Sequence, residues 1–269
     1  MPDIELNKYS PVNSVLKNLI KFYWTLKSKN EKTIHGKLIP TNNIDLIINF
    51  SNPIKYKNKT KEHLFRYCHF SGIQDNHRII TQKGPLDVLG ISFHPTGFYP
   101  LIKIPLSEFA KKMIPIDSLI SGFERKAERI AETESIWQRI SVIEETLLDI
   151  IDLTLLPEKN LGFITNDFIA NADNITIRDY CKKHGINQKK IERFFHKYLG
   201  TTPKAFIMTT KFQHAIKSLM NGEFVSMTQL GYAFNYYDQT HFINNFKSFS
   251  GKTPYKQLKE NDLIINYYK

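Results

Sequence analysis

Cysteine is scarce: the 269 residues hold two, Cys68 and Cys181. Two thiols are too few for a disulfide framework or a four-cysteine zinc site. Long apolar runs are lacking too. The longest, such as LIINF at 46–50, fall far short of the ~20 residues a membrane-spanning helix needs, so no membrane partner is expected. The N-terminal MPDIELNKYS shows no basic region followed by an apolar stretch, so no secretory signal is expected. Together these features point to a reducing cytoplasm. The motifs H-E-x-x-H, G-x-S-x-G and the P-loop are all missing. Cys68-His69 is the best local pairing of a nucleophile with a base, but such partners are usually brought together by the fold rather than by adjacency. A strand with one of the two facing the core is the simpler account. His63, His69, His77 and His94 fall in the first half without an H-x-H pair, and His94 sits in the turn-like FHPTGFYP. Neither a metal nor a cofactor is expected, and no enzyme.

What is present is an ordinary globular composition, 41% hydrophobic and 23% charged. The length suits one large domain or two small ones. Net charge is +11, and its distribution is uneven. Residues 161–269 hold 15 basic and 8 acidic residues, whereas the longer stretch 1–160 holds 22 and 18. The basic excess is concentrated in the C-terminal part, as expected if that part meets nucleic acid.

The first 110 residues read as strand-rich. Short apolar or alternating segments at 19–26, 44–50, 64–73 and 88–93 are separated by Pro and Gly. From about 123 the chain runs long without either. SIWQRISVIEETLLDIIDLTL at 135–155 sets Ile136, Ile140, Ile143, Leu147, Ile150 or Ile151 and Leu155 on one helical face. Such a stripe needs a cover: the strand-rich domain of the same chain, or the same helix of a second subunit. The seven-residue spacing of Ile136, Ile143 and Ile150 leans toward a helix–helix seam, which makes a homodimer through 135–155 a candidate. Pro157 and Gly162 mark a linker at 156–162. The domains expected are 1–155 and 163–260.

The C-terminal part contains a repeat. FFHKYLGTTP at 194–203 and NFKSFSGKTP at 245–254 match at an offset of 51: Phe195 with Phe246, Gly200 with Gly251, Thr202 with Thr253, Pro203 with Pro254, and Ile191 with Phe242. Each copy has the form of a helix-turn-helix. Thr176-x-x-Asp179 and Ser226-x-x-Gln229 are capping-box starts. Gly185 and Asn235 are residue types that accept the left-handed backbone of a tight turn. Second helices follow over about 188–199 and 239–249. At 100° per residue, Ile191, Phe194, Phe195 and Tyr198 face inward in the first, while Lys189, Arg193 and His196 face out. In the second, Phe242, Phe246 and Phe249 face in, and Thr240, Asn244 and Lys247 face out. An outward polar stripe on the second helix is what major-groove reading requires.

QLGYAFNYYDQTHFINNFKSFSGKTPYKQL (229–258), its first copy IRDYCKKHGINQKKIERFFHKYLGTTPKAF (177–206) and the connecting KFQHAIKSLM (211–220) resemble the DNA-binding region of the AraC/XylS family of bacterial transcription regulators. Three positions depart from the family pattern. Asn235 replaces the usual glycine of the second turn, Lys211 an arginine early in the connecting helix, and Asn244 an arginine late in the second recognition helix. The resemblance implies two helix-turn-helix units joined by one long helix, entering neighbouring major grooves ~34 Å apart on one duplex. YSPVNSVLKNLIKFYW, PTNNIDLIINF, FSGIQ and LDVLGISFHPTGFYPLIKIPLSEF look like the sensor-type N-terminal domain of one branch of that family. They imply a mixed β-barrel-like domain for effector binding or self-association.

The expected fold is therefore α+β, an N-terminal mixed β-barrel-like domain plus a C-terminal all-α domain with two helix-turn-helix motifs. The expected function is sequence-specific transcription regulation. Double-stranded DNA is the principal partner, a small molecule the candidate effector, and RNA polymerase a further candidate partner. Lys189, Lys190, Glu192 and Arg193 are expected at bases or adjacent phosphates in one groove, and Gln239, Thr240, His241 and Asn244 in the next. Lys197, Lys252 and the helix start near Thr228 are expected at phosphates. The alternative is a small-molecule-binding or enzymatic barrel whose helical C-terminal module makes protein contacts.

Overall fold

Alternation along the strands explains the architecture of the N-terminal half. On residues 44–49, Ile44, Leu46 and Ile48 belong to one buried cluster while Ile47 belongs to another. Such a strand is covered on both faces, which is why it reads as a nearly continuous apolar run. In the computed structural model, which describes residues 4–58, 61–133, 135–223, 226–236, 238–260 and 263–264, these strands form two packed antiparallel sheets. The strands are β1 (Glu5–Tyr9), β2 (Ile20–Ser28), β3 (Thr33–Leu38), β4 (Ile44–Asn49), β5 (Ile54–Lys57), β6 (Glu62–Phe65), β7 (Cys68–Ser71), β8 (Arg78–Lys83), β9 (Leu86–Phe93) and β10 (Met113–Pro115). The larger sheet runs β1-β2-β9-β4-β7-β10 and the smaller β3-β8-β5-β6. The expected segment 64–73 is in fact divided between the sheets, as parts of β6 and β7.

Between the sheets lie Leu26, Ile34, Ile47, Ile54, Tyr56, Ile80 and Val88. A polar tie closes one end: Gln82 Nε2 donates to Asn49 Oδ1 at 2.9 Å and to the Asn52 carbonyl at 2.7 Å. Gly90 on β9 lies flat against the indole of Trp24, where any Cβ would overlap the ring.

Helices cover the other face of the larger sheet and continue into the C-terminal half. They are α1 (Tyr99–Ile102), α2 (Phe123–Ala131), α3 (Ile136–Ile150), α4 (Lys159–Gly162), α5 (Ile164–Ala170), α6 (Ile177–His184), α7 (Gln188–Leu199), α8 (Pro203–Asn221), α9 (Met227–Ala233), α10 (Gln239–Ser250) and α11 (Pro254–Glu260). A 3₁₀ turn spans Leu106–Phe109. The segment expected to be a plain linker carries the single turn of α4.

α3 is shorter than the expected 135–155, because the chain turns out of the helix at Ile151 and continues as a 3₁₀ turn over Leu153–Leu155. Ser135 starts it with a complete capping box. Its Ile140, Ile143 and Leu147 are fully buried in the same cluster as Ile44, Leu46 and Leu89. Glu144 accepts the backbone N–H groups of Val12 and Asn13 at 2.8 and 2.9 Å, and Arg139 grips both carboxylate oxygens of Asp87 at 3.0 Å. The chain's own sheet covers the stripe.

Leu147→Ala therefore tests where the stripe is spent. Unfolding in urea should show a loss of about 2–5 kcal/mol, with sedimentation behaviour unchanged. A well-folded variant that dissociates from dimer to monomer would place the stripe at a subunit seam instead.

Candidate nucleic-acid interface

Each helix-turn-helix is built by local hydrogen bonds that its sequence specifies. Thr176 Oγ1 accepts from the N–H of Asp179 at 3.1 Å and donates to that residue's carboxylate at 2.7 Å. Ser226 Oγ accepts from the N–H of Gln229 at 3.1 Å. The turns follow at Gly185, with φ 63°, and Asn235, with φ 54°, so asparagine takes the glycine conformation in the second copy. Asn187 then caps α7 by accepting from the N–H of Lys189 at 2.8 Å, and Asp238 caps α10 by accepting from that of His241 at 2.7 Å. Such caps satisfy N–H groups that a helix start leaves open.

The two faces fall where the helical period places them. Ile191, Phe194, Phe195 and Tyr198 are buried on α7, and Phe242, Phe246 and Phe249 on α10. Lys189, Arg193 and His196 are exposed on α7; Gln239, Thr240, His241, Asn244 and Lys247 are exposed on α10. Lys190 and Glu192 are half-buried. Lys190 pairs with Glu158 at 2.8 Å, and Glu192 accepts from Gln188 Nε2 at 2.9 Å. Gln239 accepts a hydrogen bond from Thr228 at 3.0 Å. Gln188 and Gln239 are themselves 51 apart, an equivalence that extending the repeat by three residues would have exposed.

Two of the expected phosphate ligands lie on the seam between the halves. Lys197 Nζ stands 4.7 Å from the centre of the Tyr99 ring. Lys252 pairs with Glu260 and lines a cleft with His35, Lys37 and His77. The seam itself was not foreseen. Gly200, with φ 66°, abuts the Leu106 carbonyl so closely that a Cβ would overlap it. Gly251, with φ 79°, abuts the His77 ring in the same way. Lys37 Nζ donates to Gln257 Oε1 at 3.2 Å. Asn42 Nδ2 donates to the Phe206 carbonyl at 2.9 Å and to Thr210 Oγ1 at 2.8 Å on the connecting helix α8, and Gln213 donates to the Pro40 carbonyl.

A cavity lies between the two sheets. Leu26, Ile47, Ile54, Ile80, Val88 and Met113 form its apolar wall, and Asp45, Tyr56 and Arg78 bring polar groups to it. Burial pushes the Asp45 carboxyl up to about 6, against the opposing effect of a hydrogen bond from Ser92. Ile39, Thr41 and Asn43 also line the cavity. They interleave with Pro40 and Asn42, which hold α8.

Cys68 and His69 occupy opposite faces of β7. Cys68 belongs to the cluster under the helices, where burial pushes its thiol far up. His69 lies between the sheets, 2.9 Å from the Tyr56 hydroxyl, and burial pushes it down to about 3. The side chains diverge, and neither titrates near neutral pH, so they form no nucleophile–base pair.

Residues 7–115 match the family model described as a domain of unknown function, DUF6597, and residues 180–260 match a helix-turn-helix domain. No curated protein matches the chain. Among solved structures, the chain is similar to ToxT from Vibrio cholerae in its P21 form, at 12% identity over 95% of this chain and 98% of that one, with a TM-score of 0.48. It is similar to wild-type ToxT from Vibrio cholerae strain SCE256 bound to an unsaturated fatty acid, at 10% identity over 99% and 97%, with a TM-score of 0.46. The AraC-like transcriptional activator CuxR is similar at 12% identity over 80% and 81%, with a TM-score of 0.34.

Two glycine variants separate backbone strain from the seam. Gly185 and Gly200 are both left-handed, at φ 63° and 66°, but Gly185 has open space around its Cβ direction. Gly185→Ala should cost about 1–2 kcal/mol from conformation alone. Gly200→Ala should cost that and roughly 1–3 kcal/mol more through forced displacement. Equal losses in urea unfolding would mean that Leu106 does not press on Gly200 in solution.

Asp45 supplies a pH test. Its folded-state value is raised above the ordinary 3.8, so its contribution to stability is full below about 4 and lost as pH rises through about 6. Asp45→Asn should melt higher than wild type at pH 8, and the difference should shrink toward zero at pH 4. A difference that stays constant across this window would show that Asp45 titrates normally.

Proposed function

We propose that this chain, a DNA-binding transcription regulator of the AraC type, reads one asymmetric duplex site with both helix-turn-helix units under control of its N-terminal cavity. The observation that carries the reading is the pair of exposed recognition faces at equivalent repeat positions, each on a capped helix with a buried aromatic back. Lys189 and Arg193 are donors that suit guanine N7 and O6. Thr240 and Asn244 occupy the equivalent positions on α10. Asn can bond adenine N6 and N7 together, and the Thr methyl packs on the thymine methyl. The site thus has a G-containing half for α7 and an A·T-richer half for α10, centred about one helical turn apart. Lys190, Glu192, Gln239 and His241 flank these contacts, and Lys197 and Lys252 reach phosphates once released from their protein partners.

The same reading assigns control to a small molecule. An occupant of the cavity would press on the 39–43 segment, whose Pro40 and Asn42 hold α8 between the two units. The protein acts in the cytoplasm beside RNA polymerase and catalyses no reaction. Self-association through 135–155 is not part of the proposal, because the apolar face of α3 is spent on the chain's own sheet.

Affinity for a selected duplex should fall steeply with salt, since each neutralised phosphate releases counterions. Arg193→Ala should cost about 1–3 kcal/mol and relax specificity at one or two base pairs of the first half. Asn244→Arg should move the second half toward G. Selection from randomised duplexes on wild type and both variants measures this. A consensus unchanged by Asn244→Arg, or a palindrome within one monomer footprint, would show that α10 does not read bases in this way; salt-independent binding would remove the DNA-binding reading altogether.

A further inference from the structure

We propose that the N-terminal domain is itself part of the DNA interface: its Leu106–Phe109 turn stands at the rim of the first half-site, with the Ser107 hydroxyl at a backbone phosphate. This rests on the reading of α7 as a major-groove helix and adds a contact that neither helix-turn-helix unit supplies.

The exposed face of α7 is not separate from the N-terminal domain. Pro105 and Ser107 border the same groove as Lys189, Arg193, His196 and Lys197. The helical period explains why. At about 100° per residue, Lys189, Arg193, His196 and Gly200 fall on one side of the helix, and Gly200 is the point at which the Leu106 carbonyl abuts it. The turn therefore rises off the C-terminal end of α7 on its reading side. A recognition helix puts its N-terminal residues at base edges, in a major groove roughly 12 Å wide. Its C-terminal end then lies toward the rim, where a sugar–phosphate strand passes. The first protein surface that strand meets beyond α7 is the turn.

The surface there suits a phosphate. Lys189, Lys190, Arg193 and Lys197 border the groove beside one carboxylate, Glu192, which already accepts from Gln188. Ser107 is half-buried, and its hydroxyl makes no hydrogen bond among the described residues. A serine hydroxyl is a common phosphate ligand and carries no sequence information. Glu108 is exposed on the same turn but does not border the groove. The turn is also fixed before DNA arrives. Leu106 is buried, the Glu108 N–H donates to the Pro105 carbonyl at 3.1 Å, and the Phe109 ring packs edge-on to Phe70.

The test uses the full-length protein and a duplex from the randomised selection, with affinity read by fluorescence anisotropy over a salt series. Ser107→Lys should bind more tightly and steepen the slope of log affinity against log salt by about one, as one added phosphate contact does. Ser107→Glu should weaken binding at least tenfold at low salt, equally for every sequence, with the consensus intact. Ser107→Cys carrying an iron–EDTA tether, in a Cys181→Ser background, gives a separate readout; Cys68 is buried and takes no tether. It should cut the duplex beside the first half only. The proposal is overturned by an unchanged slope in Ser107→Lys, or by cutting at the second half or nowhere. It is overturned equally if Ser107→Glu binds as well as wild type or better, the result expected of a turn that obstructs the duplex and must leave. Should Ser107→Glu fail to fold, Ser107→Lys and the tethered variant decide. Wild type and Arg193→Ala are run beside these. Steep salt dependence in the first and a relaxed consensus in the second, with silent Ser107 variants, removes the N-terminal contact and leaves the regulator reading standing.

Discussion

The junction between the halves depends on two glycines whose backbone no other residue could place so close. Gly200 and Gly251 end the two recognition helices, are equivalent in the repeat and are both left-handed. Each is also a point where the N-terminal domain touches the C-terminal one, through the Leu106 carbonyl and the His77 ring. Glycine is common after a helix because it adopts positive φ without penalty. At Gly200 the missing Cβ has a second use, since the Leu106 carbonyl is backbone and cannot swing aside; at Gly251 the neighbour is the His77 side chain. One domain therefore holds both recognition helices by the same point, and α8 lies between those points.

The two attachments differ in kind. The first unit shares a continuous apolar core with the N-terminal half: Phe195, Phe206 and Tyr198 belong to the same cluster as Leu106, Phe98 and Leu46. The second unit has its own core of Phe212, Ile216, Phe242 and Phe246, to which the N-terminal half adds Ile39. Otherwise it is held by polar contacts such as Lys37 to Gln257. Apolar burial at roughly 25 cal/mol per Å² outweighs a few hydrogen bonds, even a buried one such as Lys37 to Gln257. The second unit is thus the one that separates more readily. The 39–43 segment sits where this difference is greatest, with Asn42 on the first half of α8 and Ile39 in the core of the second unit.

What was legible in the chain follows from how local each signal is. The recognition helices are dictated by caps, turn residues and aromatic spacing within about fifteen residues, and α7 spans the residues the pattern assigns to it. β4 and β9 are legible because burial on both faces makes them nearly continuous apolar runs. β3, β5 and β8 are harder to see, since His35, Lys37, Lys55 and Lys57 interrupt them, and β1 and β10 are short edge strands. The stripe on α3 was visible, but an apolar face does not encode what covers it; Glu144 and Arg139 decide that by reaching Val12 and Asp87, more than fifty residues away. The seam and the cavity were illegible for the same reason. Leu106 meets Gly200 and Arg78 meets the Lys111 carbonyl through the fold alone.

The partnered cations connect these observations. Among the basic residues expected at DNA, Lys190 is paired with Glu158, Lys197 lies over Tyr99 and Lys252 is paired with Glu260, whereas Lys189 and Arg193 form no ion pair among the described residues. Exposed ion pairs and exposed cation–π contacts are worth about 1 kcal/mol or less. A phosphate that offers counterion release along with its charge competes well with either. Internal partners therefore do not disqualify these lysines as DNA contacts; they make the exchange conditional. Lys197 leaves Tyr99, a residue of the N-terminal domain, only if the seam beside α7 gives way to the duplex, and Lys190 leaves Glu158 only if the connection before α4 does. Lys189 and Arg193 face no such condition. On the proposed reading, recognition of bases by α7 is independent of the seam, while the neutralisation of phosphates around it is not, a division that would let a change in the N-terminal half alter affinity without altering the sequence that is read.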